Sequence, residues 1–181
     1  APKHIIDMGK IEGISGVEMK GRSLVIGALT THNEVATSAV VKENIPALAE
    51  LAGLIGDPAV RHRGTAGGSI ANNDPNADYP AACLGLGATL ITNKRRILAD
   101  EFFKGLFETA LEPDETIARI QFPKPNKAAY IKFPNPASRF ALVGVFVSKR
   151  GSDIRVAVTG AGASGVFRVT SFEEALKKRF G

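Results

Sequence analysis

The feature that most constrains this 181-residue chain is a change of pattern near residue 124. Before it, short apolar runs alternate with helix-start signals. "RSLVIGALTT" (22–31) reads as a strand, a compact apolar run ending in small and β-branched residues. Thr31 followed by Glu34 makes a capping box for a helix through about Ser38. "NIPALAELAGLIG" (44–56) predicts a helix with Pro46 in its first turn, Leu48, Leu51 and Ile55 on one face, and Gly56 at its end. Asp78 can cap a helix over 79–87, "ATLITN" (88–93) reads as a strand, and "NKRR" (93–96) as a turn. Asp100 is placed to cap a short helix "EFFKGLF", and "ETIARIQFP" (115–123) reads as a half-buried strand containing Ile117 and Ile120. After "PKPNKA" (123–128) the pattern turns to antiparallel strands, "AAYIKFP" and "FALVGVFVSKRGSDIRVAVTGAG". Arg150-Gly151-Ser152-Asp153 is the expected hairpin turn. Ser171 with Glu174 forms a second capping box, for a last helix running to the end of the chain. The pattern is α+β, with a boundary dividing residues 1–123 from 124–181.

Composition removes several classes of function. At 44% hydrophobic residues the chain can build a core. No run of about 18 apolar residues offers a membrane span. The opening "APKHIIDMGK" lacks the apolar h-region of a signal peptide. The first residue is not Met and the last helix meets the final residue, as expected of a fragment or a processed chain. The single Cys83 excludes an internal disulfide and suits a cytoplasmic setting. His4, His32 and His62 are scattered and form no zinc pattern, so no metal ligands are expected. The charge excess is 23 − 18 = +5, in runs as short as "NKRR" and "KKR" (177–179), with no Trp and only two Tyr. A nucleic-acid partner would want a longer basic stripe with aromatics. No Ser-His-Asp or Cys-His arrangement demands nucleophilic catalysis, and no catalytic residue is expected.

The segment "RHRGTAGGSIANNDPNADYP" (61–80) has no apolar period and reads as a loop. Its Gly64, Gly67 and Gly68 match neither GxxxxGK[ST] nor GxGxxG. Glycines allow positive φ and expose backbone N–H groups to an anion. Thr65 and Ser69 would add hydroxyls to such a nest, and Asp78 could accept from a sugar hydroxyl. The same residues equally suit a rigid turn with side-chain self-bonding at Asn72, Asn73 and Asp74. Both readings stand on the residues alone.

A resemblance favours the first. Arg61, His62, Arg63, Gly64, Thr65, Ala66, Gly67, Gly68, Ser69 and Ile70, followed by Pro75 and Asp78, resemble the second FAD-binding segment of the flavoprotein subunit in the xanthine oxidase family of molybdenum hydroxylases. "FFKGLFETALEPDETIARIQFP" and "KFPNPASRFALVGVFV" are similar to the same subunit, most nearly the medium subunit of the aerobic carbon monoxide dehydrogenase type. His62 stands where that family commonly has Asn. The resemblance implies the second subdomain of a vanillyl-alcohol-oxidase-type (PCMH) FAD-binding domain, with mixed and antiparallel strands and flanking helices, followed by part of an α+β C-terminal domain with an antiparallel sheet. It implies that Thr65, Gly67, Gly68 and Ser69 line the diphosphate and ribityl part of FAD, and that Asp78 accepts from a FAD hydroxyl. Ile117 would meet the isoalloxazine, and Lys132 would lie near its pyrimidine end. From the residues alone, Ile117 is as well read as plain core and Lys132 as a solvent-facing strand lysine.

The implied activity is an oxidoreductase component that carries electrons from iron–sulfur clusters to an external acceptor. One cysteine cannot hold a cluster that takes four thiolates, so the molybdenum cofactor and clusters belong to partners. These would be a large molybdenum subunit and a small [2Fe-2S] subunit, in a dimer of heterotrimers, in the cytoplasm or peripheral to the inner membrane face. The family's earlier glycine-rich FAD loop, of the form A-G-G-x-S-L-[IL]-P, has no counterpart in these 181 residues. The alternative expectation is therefore a structural or assembly subunit that holds no FAD by itself.

Overall fold

The computed structural model describes residues 4–179. Strands β1 (Val17–Lys20) and β2 (Ser23–Gly27) form a hairpin. Four short helices follow: α1 (His32–Thr37), α2 (Ala39–Asn44), α3 (Pro46–Gly53) and α4 (Pro58–Arg63). Then come α5 (Ala66–Asn72), α6 (Tyr79–Leu86), β3 (Thr89–Thr92), β4 (Arg96–Leu98) and α7 (Ala99–Phe102). A small ribbon, β5 (Phe103–Gly105) with β6 (Glu108–Thr109), precedes β7 (Ile117–Pro123). The chain then runs through β8 (Lys127–Pro134), β9 (Ala141–Arg150), β10 (Asp153–Thr159), β11 (Phe167–Arg168) and α8 (Thr170–Lys178).

Two sheets organise these elements. One has the order β1-β2-β7-β3-β4 and the other β11-β10-β9-β8. All their strand pairs are antiparallel, without the parallel members that the expected fold class also allows. The first sheet is drawn wholly from residues before 124 and the second from residues after it. Helix α6 lies against both, packing on β9 and β10 and on β7. Its sequence "YPAACLGL" is apolar all round, which suits a helix with no solvent face, and all eight residues are buried. Gly85 lets it approach the second sheet, since a Cβ there would sit 2.7 Å from Phe146 Cδ1. Tyr130, Phe146 and Ala157 of the second sheet join Leu24, Ile120 and Phe122 of the first in one hydrophobic cluster.

Local signals held where a short span decides them. The Thr31–Glu34 capping box is present, with Glu34 accepting from the Thr31 amide at 2.7 Å. The Arg150–Asp153 hairpin turn joins β9 to β10. Pro46 starts α3, but that helix ends near Leu54 rather than at Gly56, and α2 had no sequence expectation. Residues 61–80 are not a loop: α4 and α5 occupy most of 58–72, because Asp57 and Thr65 cap them by accepting from the Val60 and Gly68 amides. Asp100 caps nothing, and instead pairs with Arg155 and Arg168. The Ser171–Glu174 box is absent, since α8 starts at Thr170 after Val169. Glu173 is the used carboxylate there, accepting from the Val156 amide and pairing with Arg168. The last helix, expected to run to the chain end, stops at Lys178, with Arg179 in a non-helical conformation as its C-cap.

Candidate functional site

The site begins with how α5 is anchored. Thr31 and Thr65 form a β-bridge, in which the His32 amide donates to Gly64 O and the Ala66 amide to Thr30 O, each at 3.0 Å. The Gly67 amide donates to Ala28 O at 2.8 Å, and those of Gly68 and Ser69 go to Thr65 Oγ1 and Thr65 O. The expected nest of free donors is therefore overturned: the first-turn amides are spent inside the protein. The glycines do not supply positive φ either, because Gly64 is extended and Gly67 and Gly68 are helical. Their use is close approach. A Cβ on Gly67 would meet Ala28 Cβ at 2.5 Å, and one on Gly64 would meet His32 Nε2 at 2.6 Å.

Beside this helix opens a cleft of about 450 Å³. Thr65, Gly68, Ser69 and Asp78 line it, together with His32, Ile55, Val60, Arg63, Asn72 and Asp74. Its opposite wall is the loop after β8, through Ser138, Arg139 and Phe140. Gly67 is buried behind the wall, and Ile117 is buried in β7 beside Thr92; neither lines the cleft. A second groove of about 760 Å³, lined by Ile5, Ile6, Met8, Ile11 and Leu29 among others, borders the cleft through the shared Thr65.

Asp78 is the electrostatic centre. It sits at the start of α6 without capping it, because burial of α6 draws its side chain inward to 4% exposure. Tyr130 donates its hydroxyl to Asp78 Oδ1, and Lys132 donates to Oδ2 at 2.9 Å. Lys132 also donates to Leu54 O at 3.1 Å, so a lysine whose residue-level reading was a solvent-facing strand position is held inside. Burial raises the Asp78 carboxyl above its usual range, against the opposing pull of Tyr130 and Lys132. Burial likewise pushes the Tyr130 hydroxyl up.

His32 is the residue that sequence reading set aside. Its ring lies 5.3 Å from that of Tyr79, and burial lowers its pKa to about 4. The imidazole is thus neutral near pH 7. Its Nδ1 and the Tyr79 hydroxyl are buried without a protein partner. Only its place directly after the legible Thr31 cap signalled it. No group of three or more His, Cys, Asp or Glu side chains able to hold a metal occurs among the described residues.

A family profile described as the FAD binding domain in molybdopterin dehydrogenase matches residues 1–125. The chain belongs to this family. It is 35% identical to the carbon monoxide dehydrogenase medium chain of Hydrogenophaga pseudoflava, over 99% of this chain and 67% of that one. It is 32% identical to the nicotine 6-hydroxylase medium subunit of Paenarthrobacter nicotinovorans, over 97% of this chain and 65% of the other. Among solved structures it superposes on H. pseudoflava carbon monoxide dehydrogenase lacking the Mo-pyranopterin moiety, with TM-score 0.89, covering 96% of this chain and 64% of that chain. It superposes on quinoline 2-oxidoreductase from Pseudomonas putida 86 with TM-score 0.78 at 26% identity, covering 86% and 58%. The chain thus spans between 58% and 67% of these relatives' lengths. The α+β architecture is that of the FAD-binding subunit.

The residues present suit part of a dinucleotide. The cleft volume falls within the roughly 300–1,000 Å³ of small-molecule sites. His32 lines it and carries a buried, unpartnered Nδ1, and Gly64, having no Cβ, lets that ring pack into the cleft wall. No helix among the described residues is long and apolar enough to cross a membrane.

Proposed function

We propose that this chain is the FAD-carrying component of a heteromeric molybdenum hydroxylase. The observation that carries the reading is the cleft itself: Thr65, Gly68, Ser69 and Asp78, singled out by motif, line one cavity closed from the other side by the loop after β8. FAD supplies two-electron to one-electron redox chemistry when bound. The chain's own residues bind and orient. Thr65 and Ser69 offer hydroxyls to polar ligand groups. Asp78 accepts from a ligand hydroxyl with the lone pairs that Tyr130 and Lys132 leave free. Lys132 holds Asp78 in place and balances its charge beneath the cleft wall. Gly67 acts through packing, by setting α5 against Ala28. We assign Ile117 a place under the flavin only by family likeness.

In this reading electrons pass from iron–sulfur clusters in a small [2Fe-2S] subunit to an external acceptor, after substrate oxidation in a large molybdenum subunit. The assembly is a dimer of heterotrimers, cytoplasmic or peripheral to the inner membrane face. Residues 1–123 form the FAD-binding subdomain and 124–181 part of a second domain. The test is an FAD titration of the full-length subunit, followed by visible absorbance after removal of free flavin. Stoichiometric bound flavin is expected; none at excess FAD would sink the reading.

One observation favours a second reading, a structural or assembly component that holds no FAD by itself: the α5 amides that a diphosphate would want are bonded internally. Micromolar FAD binding by the 181-residue chain would remove it.

A further inference from the structure

We propose that Arg63 and Arg139 form a two-sided clamp for a phosphate group at the mouth of the cleft. The claim rests on the FAD reading for the identity of the ligand, and on the residues alone for the anion site. Both arginines line the cleft, one as the last residue of α4 and the other from the loop after β8. Most other arginines are committed elsewhere. Arg95, Arg150, Arg155 and Arg168 pair with carboxylates, and Arg61 donates to the carbonyls of Ile55 and Gly56. Among the described residues, neither Arg63 nor Arg139 has a carboxylate within ion-pair distance.

The local charge balance favours an anion. Asp78 is compensated by Lys132, so Asp74 is the one acidic side chain of the lining without a cation partner, against two guanidiniums. The amides of α5 are already bonded, so recognition of a phosphate here falls to side chains. A guanidinium offers a planar fork of donors matched to phosphate oxygens.

The loop is built to present Arg139. That residue has φ +64°, a left-handed conformation unfavourable to any residue with a Cβ. The surroundings enforce it. Asn135 accepts from the Ala137 and Ser138 amides through Oδ1 and from the Arg139 amide through its carbonyl. Asn76 grips the loop's end twice, accepting from the Ala141 amide and donating to Ala141 O. Strain held this way at a cavity wall points to use of the side chain.

The experiment titrates the purified protein with FAD, riboflavin, ADP and inorganic pyrophosphate, alongside Arg63→Gln, Arg139→Gln and Arg139→Gly. Each substitution is expected to weaken FAD, ADP and pyrophosphate about tenfold or more, and to leave riboflavin, which has no phosphate, unchanged. Arg139→Gly is also expected to raise the melting temperature while losing affinity, since it relieves the strain and removes the fork. Unaltered FAD and ADP affinity in the variants overturns the clamp while leaving the FAD reading intact. Equal weakening of riboflavin and FAD overturns it too, by showing a structural role. Arg63-dependent pyrophosphate binding without FAD binding supports the clamp and sinks the FAD reading.

Discussion

Two parts of the cleft wall are equally polar in sequence and differ in what their polar groups do. Residues 64–69 spend their backbone donors on their own scaffold, at Thr30, Ala28 and Thr65. Asp78, a few residues on, spends its carboxylate on side chains from the second sheet, Tyr130 and Lys132. The first is a packing device that places hydroxyls at a surface. The second is a buried charge whose balance ties the start of α6 to the second sheet. Glycine-rich sequence therefore marks close backbone approach here, while the acidic residue beside it carries the electrostatics.

The largest test of that contrast is Lys132→Met, which leaves Asp78 buried and uncompensated. A loss of about 3–5 kcal/mol in urea unfolding is expected. The Asp78→Asn, Lys132→Met double variant should lose less than the sum of the singles. Strict additivity would break the view of a coupled pair.

Acid comes next. The His32 pKa is about 4 in the folded protein against 6.5 for the ordinary side chain. The unfolded state therefore binds the proton first, and stability present above pH 6.5 is lost as pH falls toward 4. The loss reaches about 3 kcal/mol. His32→Gln should flatten this limb of the stability–pH curve; an unchanged slope would assign the loss to other groups.

Smaller effects separate the two glycines. Gly67→Ala forces a Cβ onto Ala28 and should cost about 1–3 kcal/mol. Gly68→Ala faces only Thr65 Oγ1 at 2.9 Å, on an exposed position, and should change stability by less than about 1 kcal/mol. Equal costs would show that Gly67 is not the packing residue. Thr65→Ala removes the α5 cap and should cost about 1 kcal/mol by thermal unfolding.

The segment 61–80 was misread because its caps lie inside runs too short for a visible helical period. Helices of six and seven residues show fewer than two turns each. Asp78 as a polar wall residue was visible by motif, yet its partners stand 52 and 54 residues away and no local spacing announces them. Arg63 and Arg139 carry no signal individually; only the loop geometry sets them around one cavity.

What the sequence determined by itself was local: the Thr31–Glu34 cap, the Arg150–Asp153 hairpin, the apolar character of α6, and the change of pattern near residue 124. Each depends on neighbours within a few positions, where hydrogen-bond reach and side-chain period are set by the backbone alone. Tertiary structure decided the rest. Packing α6 between two sheets drew Asp78 under cover, and a buried charge then required Lys132 and Tyr130 from the second sheet. The same packing turned the glycines of 64–68 from a bare loop into the tight seam of a folded wall, because their missing Cβ atoms were needed by His32 and Ala28.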